Sequence, residues 1–243
     1  MSLVALVAAL LIEQWRPLAN RGYVYSRAAR YANFLERNLN AEEAEHGATA
    51  WLLAVLPVVA VAWIVYAFAY RISPILGLLV NVATLYVTMG FRQRSHYFTQ
   101  IRLALKDNDL ATARRALAEW RGANSDDLDR EGIARLAIEE VLGSAHRYVF
   151  GVAFWFVLLP GPTGAVLYRS ARFLSQRWSS AGSDPFGRFA GRAFGLIDWL
   201  PVRFTAAAFA VVGDFEDAVH CWRTQARKWP DRLLGIVLAA GAG

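Results

Sequence analysis

Hydrophobic residues along this chain fall into blocks separated by arginine-rich polar stretches. Residues 1–12 (MSLVALVAALLI) are apolar throughout. Residues 13–47 are polar, with Tyr31, Phe34, Leu35 and Leu39 recurring at i, i+3, i+4 spacing, which predicts an amphipathic helix. Residues 48–70 contain no charge and predict a transmembrane helix, with Pro57 as a point of bending. After the turn at 71–74, residues 75–91 predict a second, shorter span that closes a helical hairpin. The first block is shorter still: twelve helical residues reach about 18 Å against roughly 30 Å of hydrocarbon, so it must dip, tilt or pack on other helices.

Residues 92–147 change character. Ten Lys/Arg alternate with nine Asp/Glu among Ala and Leu. Amphipathic helices are predicted at 93–106, 109–121 and 127–145, with Asp109 capping the second and Asp126 or Ser125 the third. Residues 148–168 are apolar again but interrupted by Pro160-Gly161-Pro162, so one span and two half-helices are both open. Charge favours the broken form. The 13–47 and 92–147 stretches carry five and ten Lys/Arg and belong on the cytoplasmic side. A clean crossing at 148–168 would export the five arginines of 169–193, so a re-entrant hairpin is expected. Residues 182–192 (GSDPFGRFAGR) read as a glycine-rich surface loop; they match neither a P-loop nor a dinucleotide fingerprint. The final apolar run, LLGIVLAAGAG, reads as a chain lacking a last helix.

The expectation is therefore an all-α, polytopic helical membrane protein in four parts. These are an N-terminal apolar segment and amphipathic helix (1–47), a transmembrane hairpin (48–91), a cytoplasmic helical region (92–147), and broken apolar helices with a basic loop (148–243). Composition agrees: 56% of residues are apolar and 19% charged, against about 25% charged in soluble domains. The net charge of +6 is nearly all arginine and fits a positive inner surface; no nucleic-acid motif accompanies it. A multi-pass membrane location follows, and the resemblance given below implies a bacterial inner membrane. The bilayer is the expected partner; a membrane or cytoplasmic protein, or a second copy of the chain, stays open. One cysteine, Cys221, excludes an internal disulfide, and no CxxC or HxxxH spacing offers a metal site. Neither a metal nor a cofactor is expected.

Candidate chemistry is sparse. Leu196–Ala210 (LIDWLPVRFTAAAFA) places Asp198 and Arg203 in an apolar segment, where ionisable groups are costly and persist with a partner or a task. Five positions apart, they face different sides of a straight helix; Pro201 between them offers a way to bring them together. Glu13, at the end of the first apolar block, either marks the membrane edge or joins Arg203 in a polar pocket. Glu139-Glu140 and His146-Arg147-Tyr148 resemble solvated helix and junction residues as much as acid–base groups. Glu42, Glu43, Glu45 and His46 read as a solvated turn, and Cys221 as inert.

Asp198-Trp199-Leu200-Pro201-Val202-Arg203, a small apolar run, Gly213 and Glu216–Trp222 resemble the late segment of the AmpE proteins. Those are inner-membrane proteins tied to β-lactamase induction, and they share ancestry with the CobD/CbiB cobinamide-phosphate synthases. NDLATARRALAEW, LDREGIARLAIE, GPTGAVLYR and DWLPVRFTA resemble the synthase branch as well. The synthases' polar signatures are largely replaced. Ala123-Asn124-Ser125 stands for an arginine-aspartate-threonine turn, and of a glutamate-serine-x-x-glutamate-asparagine motif only Glu139 is kept. Arg172-Phe173-Leu174-Ser175 stands for asparagine-threonine-leucine-aspartate, and Phe194-Gly195 for paired aspartates; Arg92 remains. The resemblance thus implies a non-catalytic accessory protein of cell-wall recycling and β-lactamase induction. Its ligand or partner site would draw on Asp198, Arg203, Arg172, Glu13, Glu139 and Arg92, without a cluster of carboxylates. The alternative is an adenosylcobinamide-phosphate synthase-like enzyme of cobalamin biosynthesis.

Overall fold

The computed structural model describes residues 2–15, 22–39, 44–179, 185–226, 229 and 231–242. All regular structure among them is helical. The elements are α1 (Ser2–Trp15), α2 (Gly22–Leu39), α3 (Ala44–Ile72), α4 (Pro74–Thr88), α5 (Phe91–Lys106), α6 (Leu110–Arg121), α7 (Arg130–Ala145), a π-helical segment (His146–Phe150), α8 (Gly151–Leu158), α9 (Thr163–Ser179), α10 (Pro185–Val212), α11 (Phe215–Gln225) and α12 (Arg232–Ala242). Among the described residues, three helical stretches are long and apolar enough to cross a membrane: Gly47–Ile72, Arg130–Leu158 and Gly187–Val212. The all-helical, polytopic membrane class expected from the sequence is therefore what the chain adopts. Contacts gather it into two units, Met1–Met89 with Gly151–Pro201 and Gly90–Phe150 with Val202–Gly243.

In the first unit α1 packs on α4 and α8. The buried side chains of α1 are Ala5, Ala9 and Glu13 and those of α4 are Gly77, Asn81 and Leu85, each set spaced i, i+4, i+8. Small residues at this spacing let two helices approach closely, which is how a helix too short to span finds a place in an apolar unit. A core of Ala32, Leu35, Ala50, Ala54, Val55, Leu174, Trp178 and Ala190 ties α2, α3, α9 and α10 together. Tyr31 donates to the Leu53 carbonyl (3.1 Å), and Arg177 donates through Nε and Nη2 to Asn33 Oδ1 (3.1 Å each). The outer face of α3 exposes Leu56, Val61, Ile64 and Phe68. Such a surface suits the lipid of a bilayer.

Four sequence expectations need correction. Among the α2 side chains described, Ala32 and Leu35 are buried while Tyr31 and Phe34 are exposed, because the small Ala32 permits closer helix contact than an aromatic ring does; the Leu39 side chain lies outside the described residues. Residues 185–192 are the first turns of α10 and not a loop; only 182–184 lie outside the described residues. Pro185 suits a helix start, and Gly187 and Ala190 are buried there, so the glycine marks close packing. The third polar helix is capped by Asp129, which accepts from the Gly132 amide (2.8 Å). Asn124 instead accepts from the Asp126 amide (2.9 Å) in a local turn that delays the helix. Lastly, that helix does not stop at the apolar boundary: α7, the π segment and α8 run on as one helix from Arg130 to Leu158, since Ala137 to Gly143 already supply apolar and small faces.

The break at 159–162 is present, and α9 begins at Thr163. Gly161 sits there at φ 61°, a left-handed conformation that a side chain resists, and Thr163 Oγ1 donates to the Pro160 carbonyl (2.7 Å).

The second unit is built differently. Ile101, Ala104, Ala113, Ala116, Leu117, Trp120, Ile133 and Ala137 form its α5–α6–α7 core, with Tyr97 stacked on Trp120 (centroids 6.1 Å). Asp109 caps α6 as expected, accepting from the Thr112 amide (3.0 Å), and Asp214 caps α11. Hydrogen bonds from the Thr112 side chain and then its backbone hold the Asp109 carboxyl below the ordinary 3.8.

Candidate functional site

In the first unit the cost of burying Asp198 is met by Tyr168. Asp198 is 5% exposed and Tyr168 fully buried; the Tyr168 hydroxyl donates to Asp198 Oδ1 at 2.8 Å. A phenol donor satisfies one of the carboxyl oxygens. The local sequence makes room for this. A Cβ at Gly151 would run into the Tyr168 hydroxyl and ring, so the glycine is required by the approach of α8 to α9. Phe194 lies tilted against Tyr168 (5.5 Å between centroids), and the Arg172 guanidinium sits 5.2 Å above the Phe194 ring. Trp155 Nε1 donates to the Ile197 carbonyl (3.1 Å), fixing α8 on the same stretch of α10.

The sequence-derived candidates therefore divide. Asp198 and Arg172 share the surroundings of Phe194 and Tyr168. Glu13, 3% exposed, lies on the buried stripe of α1 in the same unit. Arg203 is half-buried and belongs to the second unit, as do Glu139 and the exposed Arg92.

Two second-unit groupings were not assembled by sequence reasoning. His146, fully buried at the start of the π segment, places Nδ1 2.9 Å from the buried Thr205 hydroxyl; an insertion of this type often re-aims a side chain at a site. Glu139, bonded to Arg135 (3.0 Å), lines a cavity of about 200 Å³ with Glu140, Asp231, Arg121, Trp229, Leu136, Leu234 and Leu238. Asp231 also pairs with Arg147 at 3.6 Å. Three carboxylates thus line one opening. Helical spacing put Glu139 beside Glu140, but nothing local pointed to Asp231, ninety-two positions on. A divalent ion needs several converging oxygen ligands. Among the described residues no three Asp, Glu, His or Cys side chains converge in that way, so these residues do not fit a resident ion.

The family model described as CobD/Cbib protein matches residues 4–243. The chain belongs to the CobD/CbiB family. It is 35% identical over 246 aligned positions to "Cobalamin biosynthesis protein CobD" of Stutzerimonas stutzeri, covering 99% of this chain and 79% of that protein. A protein of the same name from Chromobacterium violaceum is 37% identical over 199 positions, 81% of this chain and 62% of its own length. "Cobalamin biosynthesis protein CbiB" of Salmonella typhimurium is 26% identical over 190 positions, 76% and 58% respectively. No solved structure matches.

These similarities overturn the regulatory reading. The AmpE-type accessory role in β-lactamase induction drew on replaced polar motifs and one late segment, whereas the likeness to cobalamin-biosynthesis proteins extends across the whole chain.

Proposed function

We propose that this CobD/CbiB family member works in cobalamin biosynthesis as an adenosylcobinamide-phosphate synthase-like membrane protein, joining an aminopropanol phosphate to an activated corrinoid carboxylate. The observation that carries the reading is the identity to a cobalamin-biosynthesis protein over 99% of the chain. The inner membrane is the bilayer of this reading, with the 13–47 and 92–147 stretches on the cytoplasmic side.

The second-unit cavity supports it chemically. Glu139, Glu140 and Asp231 beside Arg121 suit a small zwitterion: an ammonium near the carboxylates and a phosphate toward the guanidinium. In amide formation the ammonium must lose a proton before its nitrogen attacks the activated carbonyl carbon; the new C–N bond forms as the bond from that carbon to the activating group breaks and the group leaves with its electron pair, and a carboxylate that binds the ammonium is placed to take the proton. Asp198 and Tyr168 hold α9 to α10 in this account, and Arg92 and Arg203 supply positive charge for anionic groups.

The test is product formation by the detergent-solubilised protein given aminopropanol phosphate and an activated corrinoid, read by mass spectrometry. Conversion by wild type, reduced about 100-fold or more in Glu139→Gln and in Arg121→Ala, is expected. Absence of conversion by a folded wild type overturns the reading. Unchanged rates in both variants overturn the assignment of the cavity.

A further inference from the structure

The charged side chains that line the second-unit cavity are Arg121, Glu139, Glu140 and Asp231, and the fold already engages two of them. Asp231 is fully occupied. Its Oδ1 accepts from the Leu233 and Leu234 amides at 3.1 Å each, in the first turn of α12, and its Oδ2 pairs with Arg147 at 3.6 Å. Glu139 gives Oε1 to Arg135 Nε, one turn earlier on α7, at 3.0 Å. The half-buried Glu140 and Arg121, in the last turn of α6, make no hydrogen bond or ion pair among the described residues. They line the same space of about 200 Å³, yet no ion pair joins them. One turn beyond Glu140, Ser144 is 2% exposed and its hydroxyl has no hydrogen-bond partner, so this stretch of α7 carries a second polar group that the fold leaves unsatisfied.

An unmatched carboxylate and an unmatched guanidinium across one small cavity complement a ligand with an ammonium at one end and a phosphate at the other. The three acids are not equivalent toward such a ligand. A proton placed on Asp231 would displace an amide or Arg147, and Glu139 keeps one oxygen bonded to Arg135. Both oxygens of Glu140 are open. We propose that Glu140 is the carboxylate that receives the ligand's ammonium and takes its proton, with Glu139 and Asp231 as positioning residues that hold α7 and α12 around it. This assignment rests on the synthase reading given above. The ammonium proton passes to a Glu140 oxygen, and the freed lone pair of the nitrogen makes the C–N bond. The activating group leaves with its electron pair, and Glu140 then returns the proton to water.

The test uses the full chain in detergent and has two readouts. The first is the rate of conversion of aminopropanol phosphate and an activated corrinoid from about pH 7 to about pH 10. Glu140→Gln should be about 100-fold slower than wild type at the lower end. Its deficit should shrink about tenfold per pH unit, as the substrate amine sheds its proton unaided; the comparable amine of lysine titrates near about 10.4. Glu139→Gln, which acts through position, should carry the same deficit at every pH. The second readout needs no turnover: calorimetric binding of aminopropanol phosphate against a propyl phosphate lacking the amine. Wild type should prefer the amine about tenfold, the effect of one charge-assisted hydrogen bond, and Glu140→Gln should bind the two alike. Glu140→Gln breaks no bond of the fold, so its melting temperature should match wild type; if it does not fold, Glu140→Ala replaces it with the same expectations. A deficit below twofold, a deficit unchanged up to pH 10, or an amine preference that survives without Glu140 overturns the inference. A wild type that converts nothing, yet loses its amine preference in Glu140→Gln, contradicts the synthase reading and supports the ammonium site.

Discussion

The two units deal with acidic side chains in different ways. In the first, acids are buried among apolar helices: Asp198 beside Tyr168 and Glu13 on the stripe of α1. In the second, His146 and Thr205 are buried against each other, and acids act at helix ends, where Asp109, Asp129 and Asp214 each satisfy backbone amides. A helix in lipid satisfies its backbone internally and spends polar side chains only where a partner waits. A helix in water is ended by caps and oriented by an apolar stripe. Disruption should therefore be specific in the first unit and graded in the second.

The largest expected effect is a core truncation in the second unit. Ile133→Ala removes a fully buried side chain from the α5–α6–α7 core and should cost about 2–5 kcal/mol, read as a fall in the denaturant midpoint in detergent. Gly151→Ala comes next. It forces Tyr168 away from Asp198 and should cost about 1–3 kcal/mol as overpacking. Tyr168→Phe tests the same contact without the clash, at about 1 kcal/mol for the lost hydrogen bond; a neutral result would show that the phenol bond does not hold the first unit together. Asp129→Ala should cost about 1 kcal/mol and shorten α7 at its start, seen by amide hydrogen exchange. Asp109 gives a pH test. Its folded carboxyl titrates below the ordinary 3.8, so the cap is fully effective above that pH and is lost as pH falls through the depressed value. Exchange protection at Thr112 should be flat from pH 7 to 5 and decline only under stronger acid. The smallest effect belongs to Arg135→Ala, which breaks an ion pair whose arginine is 76% exposed and should change stability by no more than a few tenths of a kcal/mol.

The same contrast explains what could be read in advance. The polar helices were legible almost to their ends, because Asp109, the turn at 107–109 and the Ala/Leu stripe are local signals. The break at 159–162 was legible from its prolines and glycine. In α2 the sequence marks an amphipathic helix, but which of its apolar residues face inward depends on the neighbouring helices: the small Ala32 is buried while Tyr31 and Phe34 are exposed, and the glycines of 185–192 mark close packing in α10 as readily as a loop. Asp198 announced itself as an anomaly, but its partner Tyr168 lies thirty positions earlier and carries no charge to betray it. The carboxylate cavity shows the same limit, as it joins α7 to Asp231 through tertiary structure alone.

The central claim, that this chain acts in cobalamin biosynthesis, is tested most directly by complementation. The gene would be expressed in a bacterium deleted for its own CobD/CbiB protein and grown where growth depends on cobalamin made from cobyric acid. Restored growth with cobinamide phosphate in extracts, and loss of both with Glu139→Gln despite normal membrane expression, is the predicted result. No growth from a wild-type chain present in the membrane at normal levels would contradict the account.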